Sequence, residues 1–241
     1  MSADTPGLQV ARDAQVLQLT LDRPDKANAL DAALVETLLA QVTAAASDGT
    51  RLLVLRANGR HFCAGFDFTG VESGSDGDLL LRFVRIEQLL QAVYAAPFAT
   101  LALVHGRVLG AGADLVVACG TRIAAPGTSF AFPGARFGLV LGTRRLAQRI
   151  GAEAARRIVT GGLVVGDVEA QQLGLVDALA AADQWPERIA AETQRALLLD
   201  APTQAALHRL TAADTRAADL ADLVTSAARP GLAARIRAYR G

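Results

Sequence analysis

The stretch Thr100-Leu101-Ala102-Leu103-Val104-His105-Gly106-Arg107-Val108-Leu109-Gly110-Ala111-Gly112-Ala113-Asp114-Leu115-Val116-Val117-Ala118-Cys119 decides the fold class. It passes from a short apolar run, Thr100–Val104, through a glycine-rich turn into a helix expected over Ala111–Cys119. An unbroken apolar run of that length is the pattern of a strand covered on both faces, as parallel strands are. Glycine placed just after such a strand lets a ligand approach the main chain closely. The first N–H groups of the following helix have no intrahelical partner and carry partial positive charge. They suit an anion or a polarised carbonyl oxygen. A second segment has the same build. The apolar run Leu52–Leu55 leads into a loop that carries Phe62-Cys63-Ala64-Gly65-Phe66-Asp67-Phe68.

Outward from these two segments, strand and helix alternate at short intervals. Val10–Arg12 and Val16–Leu21 read as strands, and Arg23-Pro24-Asp25-Lys26 as a turn. Asp31 is placed to cap a helix over 32–46, where Leu34, Leu38, Leu39 and Val42 recur at helical spacing. Gly70–Gly77, all glycine and short side chains apart from Val71 and Glu72, reads as the most flexible part of the chain, followed by a helix over Leu79–Tyr94. The class is α/β with crossover connections. From Trp185 the sequence turns alanine-rich and helical, which places a boundary near residue 184: a core over 1–184 and a C-terminal helical module over 185–241.

Composition narrows the function. The 241 residues are 51% hydrophobic and 20% charged, an ordinary globular balance. The 24 basic and 24 acidic residues cancel, and no Lys/Arg block occurs, so nucleic acid is not expected as a partner. No apolar run approaches the roughly 20 residues of a membrane span, and the first residues lack the pattern of a signal peptide. A cytoplasmic protein is expected. Cys63 and Cys119 fall in core-like segments and read as reduced, buried thiols. His61-x-Cys63 has no further ligands at metal-site spacing, so no metal is expected. Gly110-x-Gly112 is half of a dinucleotide fingerprint, but Leu115 stands where the third glycine belongs. A Gly-x-Ser-x-Gly nucleophile elbow is also lacking.

Several pieces occur together in order: Arg23-Pro24 with Asn28-Ala29-Leu30, Phe62–Phe68, Val104–Asp114, Gly138–Gly142 with Arg145-Leu146, and Thr160-Gly161 with Gly174-Leu175-Val176. In this order and spacing the chain resembles the crotonase, or enoyl-CoA hydratase/isomerase, superfamily from about residue 8 onward. The resemblance implies a spiral of β-β-α units. It implies backbone N–H groups of Phe66 and Ala111 forming an oxyanion hole for a thioester enolate. It also implies a coenzyme A thioester lying across Ala64, Gly65, Asp67 and Phe68, as substrate rather than as a bound cofactor. Phosphate contacts would come from Lys26 or Arg23. The terminal helices would build a homotrimer or hexamer, with Leu232, Ile236 and Tyr239 on the buried face of the last one.

The acid–base pair is where the chain departs. Hydratases of the superfamily resemble one another in carrying two glutamates, and the matching positions here are Asp114 and Gly134. Glycine offers no side chain to orient water or give up a proton, so single-acid chemistry through Asp114, such as isomerisation, is expected over hydration. Asp114 also reads simply as an acid favoured by the first turn of a helix. Arg82, Arg85 and Arg136 are candidates to bind a substrate carboxylate, Glu87 on the same helix is a candidate to stand in for the acid missing at Gly134, and His61 and His105 read as hydrogen-bonded structural residues. The other readings are an acyl-CoA binder that keeps the fold without catalysis, and a divergent decarboxylase or hydrolase.

Overall fold

Unbroken apolar runs in the central strands build one sheet with two covered faces. In the computed structural model, which describes residues 6–240, β1 (Leu8–Asp13) pairs antiparallel with β2 (Val16–Leu21). Asp31 then caps α1 (Ala32–Ala45), its side chain accepting from Leu34 N–H at 2.8 Å. β3 (Leu52–Ala57) follows. α2 (Asp76–Tyr94) opens with a capping box in which Ser75 and Asp78 satisfy each other's end of the helix. β4 (Ala99–Val104), β5 (Arg107–Leu109) and α3 (Ala111–Ala118) come next, then β6 (Thr121–Ala124) and β7 (Ser129–Ala131). After a 3₁₀ turn over Pro133–Phe137 come α4 (Thr143–Ile150) and α5 (Ala152–Gly161). β8 (Val165–Gly166), α6 (Asp167–Leu173) and β9 (Ala178–Leu179) complete the strands. The helices α7 (Trp185–Ala196), α8 (Ala201–Thr211), α9 (Arg216–Ala227) and α10 (Leu232–Arg240) close the chain.

The main sheet has the order β1-β2-β3-β4-β6-β9, parallel throughout except for β1 on β2. Side chains alternate across it. Leu53 and Leu55 face the larger core under α1, α2 and α3, while Leu52 and Val54 face Trp185 and Ala196 of α7. The second sheet, β5-β7-β8, is small.

Two expectations change. Arg107–Leu109 is a strand, where the sequence reads only as a glycine-rich turn. The chain bends at Gly106 (φ +62), where any Cβ would strike the backbone of Arg60. That bend takes β5 out of the main sheet to pair with β7. The stretch 70–77 is also more ordered than its composition suggests. Val71 is fully buried in the core and Asp76 already begins α2. Asp76 further accepts N–H bonds from Gly231, Leu232 and Ala233, which ties α10 to the start of α2.

Candidate active site

Residues 62–67 are laced between two other segments. On one side Leu30 N–H donates to Gly65 O (2.7 Å) and Asp67 N–H to Leu30 O (3.1 Å). On the other, Cys63 bridges Val108 in parallel, with Leu109 N–H donating to Cys63 O at 2.9 Å. Amides alternate sides along an extended chain, so Phe66 N–H is turned away from Leu30. Among the described residues neither Phe66 N–H nor Ala111 N–H donates a hydrogen bond. Gly65 holds the two amides near each other. At φ +87, a Cβ there would lie 2.6 Å from Leu109 O and 3.4 Å from Ala111 N. Gly110 adopts φ +50, ψ −125, open in practice to glycine alone, and starts α3 with Ala111 as its first residue.

Phe66 and Ala111 both border a cavity of about 190 Å³ that Ala64, Gly110, Asp114 and Gly134 also line. Its wall is largely aromatic. Phe66, Phe68, Phe83, Phe132, Phe137 and Tyr239 face it, and Phe66 stacks on Phe83 at 4.3 Å between ring centroids. Asp114 is the one charged residue in that lining. It is 4% exposed, and its Oδ1 has no hydrogen-bond partner among the described residues. Burial pushes its carboxyl well above the usual carboxylate range. Arg145 works against that rise and Glu87 adds to it.

Arg145 and Glu87 belong to a buried ionic cluster. Arg145 donates to Glu87 at 3.0 and 2.5 Å and to Asp219 at 2.9 Å, while its Nε is left without a partner. Arg144 reaches Asp219 at 2.9 Å from the surface side. Gly142 (φ +63) precedes α4, and a Cβ on it would collide with the Asp114 carboxyl.

The other residues expected in the site are divided between the cavity wall, its support and the surface. Ala64, Gly65 and Phe68 lie along the cavity or its support. The Asp67 carboxylate is engaged within the protein, accepting from Thr69 N–H (2.9 Å) and from Arg23 (3.2 Å). Burial alone would raise it, but those bonds hold it below its ordinary value. Arg23 also binds Ala29 O and Asp31, so its guanidinium is occupied and is not a free phosphate ligand as the sequence suggests. Lys26 is exposed at the end of a 3₁₀ turn, two residues from Asn28 and outside the cavity lining. Arg82 lies over the Phe66 ring at 4.2 Å and donates to Asp67 O, bracing the loop. Arg85 pairs with Glu36 on α1. His61 and His105 both make hydrogen bonds to the fold, with Arg107 N–H and Gly59 O respectively. Phe130 is core, whereas Phe132 and Phe137 line the cavity. Cys63 and Cys119 are buried free thiols, with burial pushing both up to about 12. Among the described residues no group of three His, Cys, Asp or Glu side chains could hold a metal ion, and no helix is long and apolar enough to cross a membrane.

Sequence reasoning missed Phe83, Tyr239 and the Glu87–Arg145–Asp219 cluster. Glu87 carries a signal in hindsight, because it falls on the apolar face of α2 with Phe83, Ile86 and Leu90. A charge at such a position needs a buried partner.

A profile of the enoyl-CoA hydratase/isomerase family matches residues 11–229. The chain is 33% identical over 178 residues to the enoyl-CoA isomerase/hydratase fer4 of Mycosarcoma maydis, covering 68% of this chain and 65% of that one. It is 34% identical over 173 residues to the 2,3-dehydroadipyl-CoA hydratase of Escherichia coli, covering 70% and 67%. The chain thus spans about two thirds of the length of these relatives. A crystal structure from Bordetella parapertussis, described as an enoyl-CoA hydratase/isomerase, superposes with a TM-score of 0.96 at 48% identity over 98% of both chains. With two unpartnered amides set at one cavity and a family match along nearly its whole length, the chain belongs to the enoyl-CoA hydratase/isomerase, or crotonase, family.

Proposed function

We propose that the protein is an acyl-CoA-processing enzyme that holds a thioester enolate between the N–H groups of Phe66 and Ala111, with Asp114 as its single acid. The observation that carries this reading is the pair of amides, unpartnered among the described residues, beside a cavity whose one ionisable carboxyl is buried. Two donors fixed at the thioester oxygen favour the enolate over the ground-state carbonyl, because charge develops there as the reaction proceeds. Gly134 supports single-acid chemistry, since glycine has no side chain to take a proton from water or to give one up. Coenzyme A would lie along Ala64–Phe68 as substrate, with exposed Lys26 next to Ala27, whose carbonyl accepts from Ala64 N–H at 2.9 Å. Five exposed leucines at 197, 198, 199, 207 and 210 support a role for the C-terminal helices in assembly, as a trimer or hexamer.

The test is a panel of enoyl-, dienoyl-, malonyl- and hydroxyacyl-CoA thioesters with product identification, run on the wild type and on Asp114→Asn. Turnover that falls about 10²–10⁴-fold in the variant is expected. No turnover of any thioester would favour a binding protein, and unchanged turnover in the variant would remove Asp114 from the mechanism.

A further inference from the structure

The buried charges around Asp114 balance only if its own carboxyl is neutral. From α2 it faces Glu87 and from α4 Arg145, with Asp219 of α9 behind Arg145. The other charged groups on those helices point elsewhere. Arg82 reaches the carbonyls of Asp67 and Thr69, Arg85 reaches Glu36, and Arg149 reaches the carbonyls of Val117 and Cys119. Arg107 of β5 and Arg136 of the 3₁₀ turn are exposed, and Tyr239 of α10 shares the cavity wall. Glu87 and Asp219 offset Arg145 and Arg144, with Asp222 pairing Arg144 only at the surface. An ionised Asp114 would add a buried negative charge whose Oδ1 meets no donor. A carboxyl so placed takes up a proton instead.

We propose that the Glu87–Arg145–Asp219 cluster is a positioning device that presents Asp114 to the bound thioester as a carboxylic acid, so that Asp114 gives a proton to the α-carbon rather than taking one. In that step the O–H bond of Asp114 breaks and its electron pair stays on the carboxylate. The enolate's electron pair forms the new α-C–H bond, and the thioester C=O is restored under the amides of Phe66 and Ala111. Water returns the proton to Asp114 between turnovers. The enolate itself then arises without Asp114 as base, as when a carbon fragment leaves the α-carbon as carbon dioxide. A double-bond shift that must begin with proton removal is the reaction this arrangement disfavours.

The inference rests on the enolate reading for the identity of the acceptor carbon, but the protonation state is measurable without substrate. Infrared difference spectra of the ligand-free wild type against Asp114→Asn at neutral pH are expected to show a protonated-carboxyl stretch that the variant lacks. Titrating that band in Glu87→Gln and in Asp219→Asn should move its midpoint down by about 1–3 pH units, since each removes a negative neighbour or frees Arg145. Glu87→Asp, which keeps the charge, should retain the wild-type midpoint. If one variant fails to fold, the other carries the shift. Absence of the band in the wild type, or an unmoved midpoint in the neutral variants, overturns the inference. A band that behaves as expected in a protein that turns over no thioester would sink the enolate reading alone.

Discussion

The cavity has a main-chain half, Ala64–Phe66 with Gly110–Ala111, and a side-chain half, Asp114 with Glu87, Arg145 and Asp219. The first is fixed by glycine geometry and by a parallel bridge only a few residues away. The second joins four helices, α2, α3, α4 and α9, through buried charged and titratable side chains. Apart from the glycines at 65 and 110, side chains in the first half can vary without moving an amide. In the second, every partner matters, because one removed charge leaves another uncompensated.

The largest expected effect comes from breaking the main-chain half. Gly65→Ala would press a methyl 2.6 Å from Leu109 O and part the two amides, costing about 10²–10³-fold in kcat/KM on the thioester that the panel identifies. Gly49→Ala is the control. Gly49 has the same φ of +87 with nothing near its missing Cβ, so it should lose some stability and leave kcat/KM unchanged. Gly142→Ala tests the second half by geometry alone. Its methyl would push the Asp114 carboxyl aside, and up to about 10²-fold in kcat should be lost while the amides stay in place.

A smaller effect separates the halves by pH. Burial raises the folded-state value for Asp114 above its unfolded value. Its contribution to stability is therefore fully present below the unfolded pKa and is lost as pH rises through the raised folded one. Urea unfolding of Asp114→Asn should lack that decline, whereas Gly65→Ala should keep it. The smallest effect is expected at Gly134, where a Cβ would meet Leu139 at 3.7 Å or more, an ordinary contact, at a φ that L residues adopt. Gly134→Ala should change stability by no more than about 0.5 kcal/mol. The same room lets Gly134→Glu test whether a second acid brings hydration of crotonyl-CoA above the wild-type level.

The main-chain half was legible because its signals are local. Gly110-Ala111-Gly112 after an apolar run marks a helix start without a strand's side chains, and Phe62–Phe68 repeats the design. Asp31, Cys63 and Cys119 were legible for the same reason. The strand Arg107–Leu109 was not, because three residues carry no period and their partner β7 lies some twenty residues away. Val71 was hidden by its glycine and serine neighbours, although a single apolar side chain is enough to anchor a loop to the core.

The sequence by itself determined the family, the alternation of strand and helix, the two amide-bearing turns and the loss of a side chain at Gly134, since each depends on neighbouring residues and on backbone freedom at glycine. Only the tertiary structure decided which groups surround Asp114, that Arg23 is tied up by Asp31 and Asp67, and that Tyr239 of the last helix closes the wall. Those outcomes depend on burial and on pairs such as Arg23 with Asp67 and Arg145 with Asp219, 44 and 74 residues apart in the chain. A charge's energy is set by the dielectric and the partners that folding brings to it, and no local pattern records either.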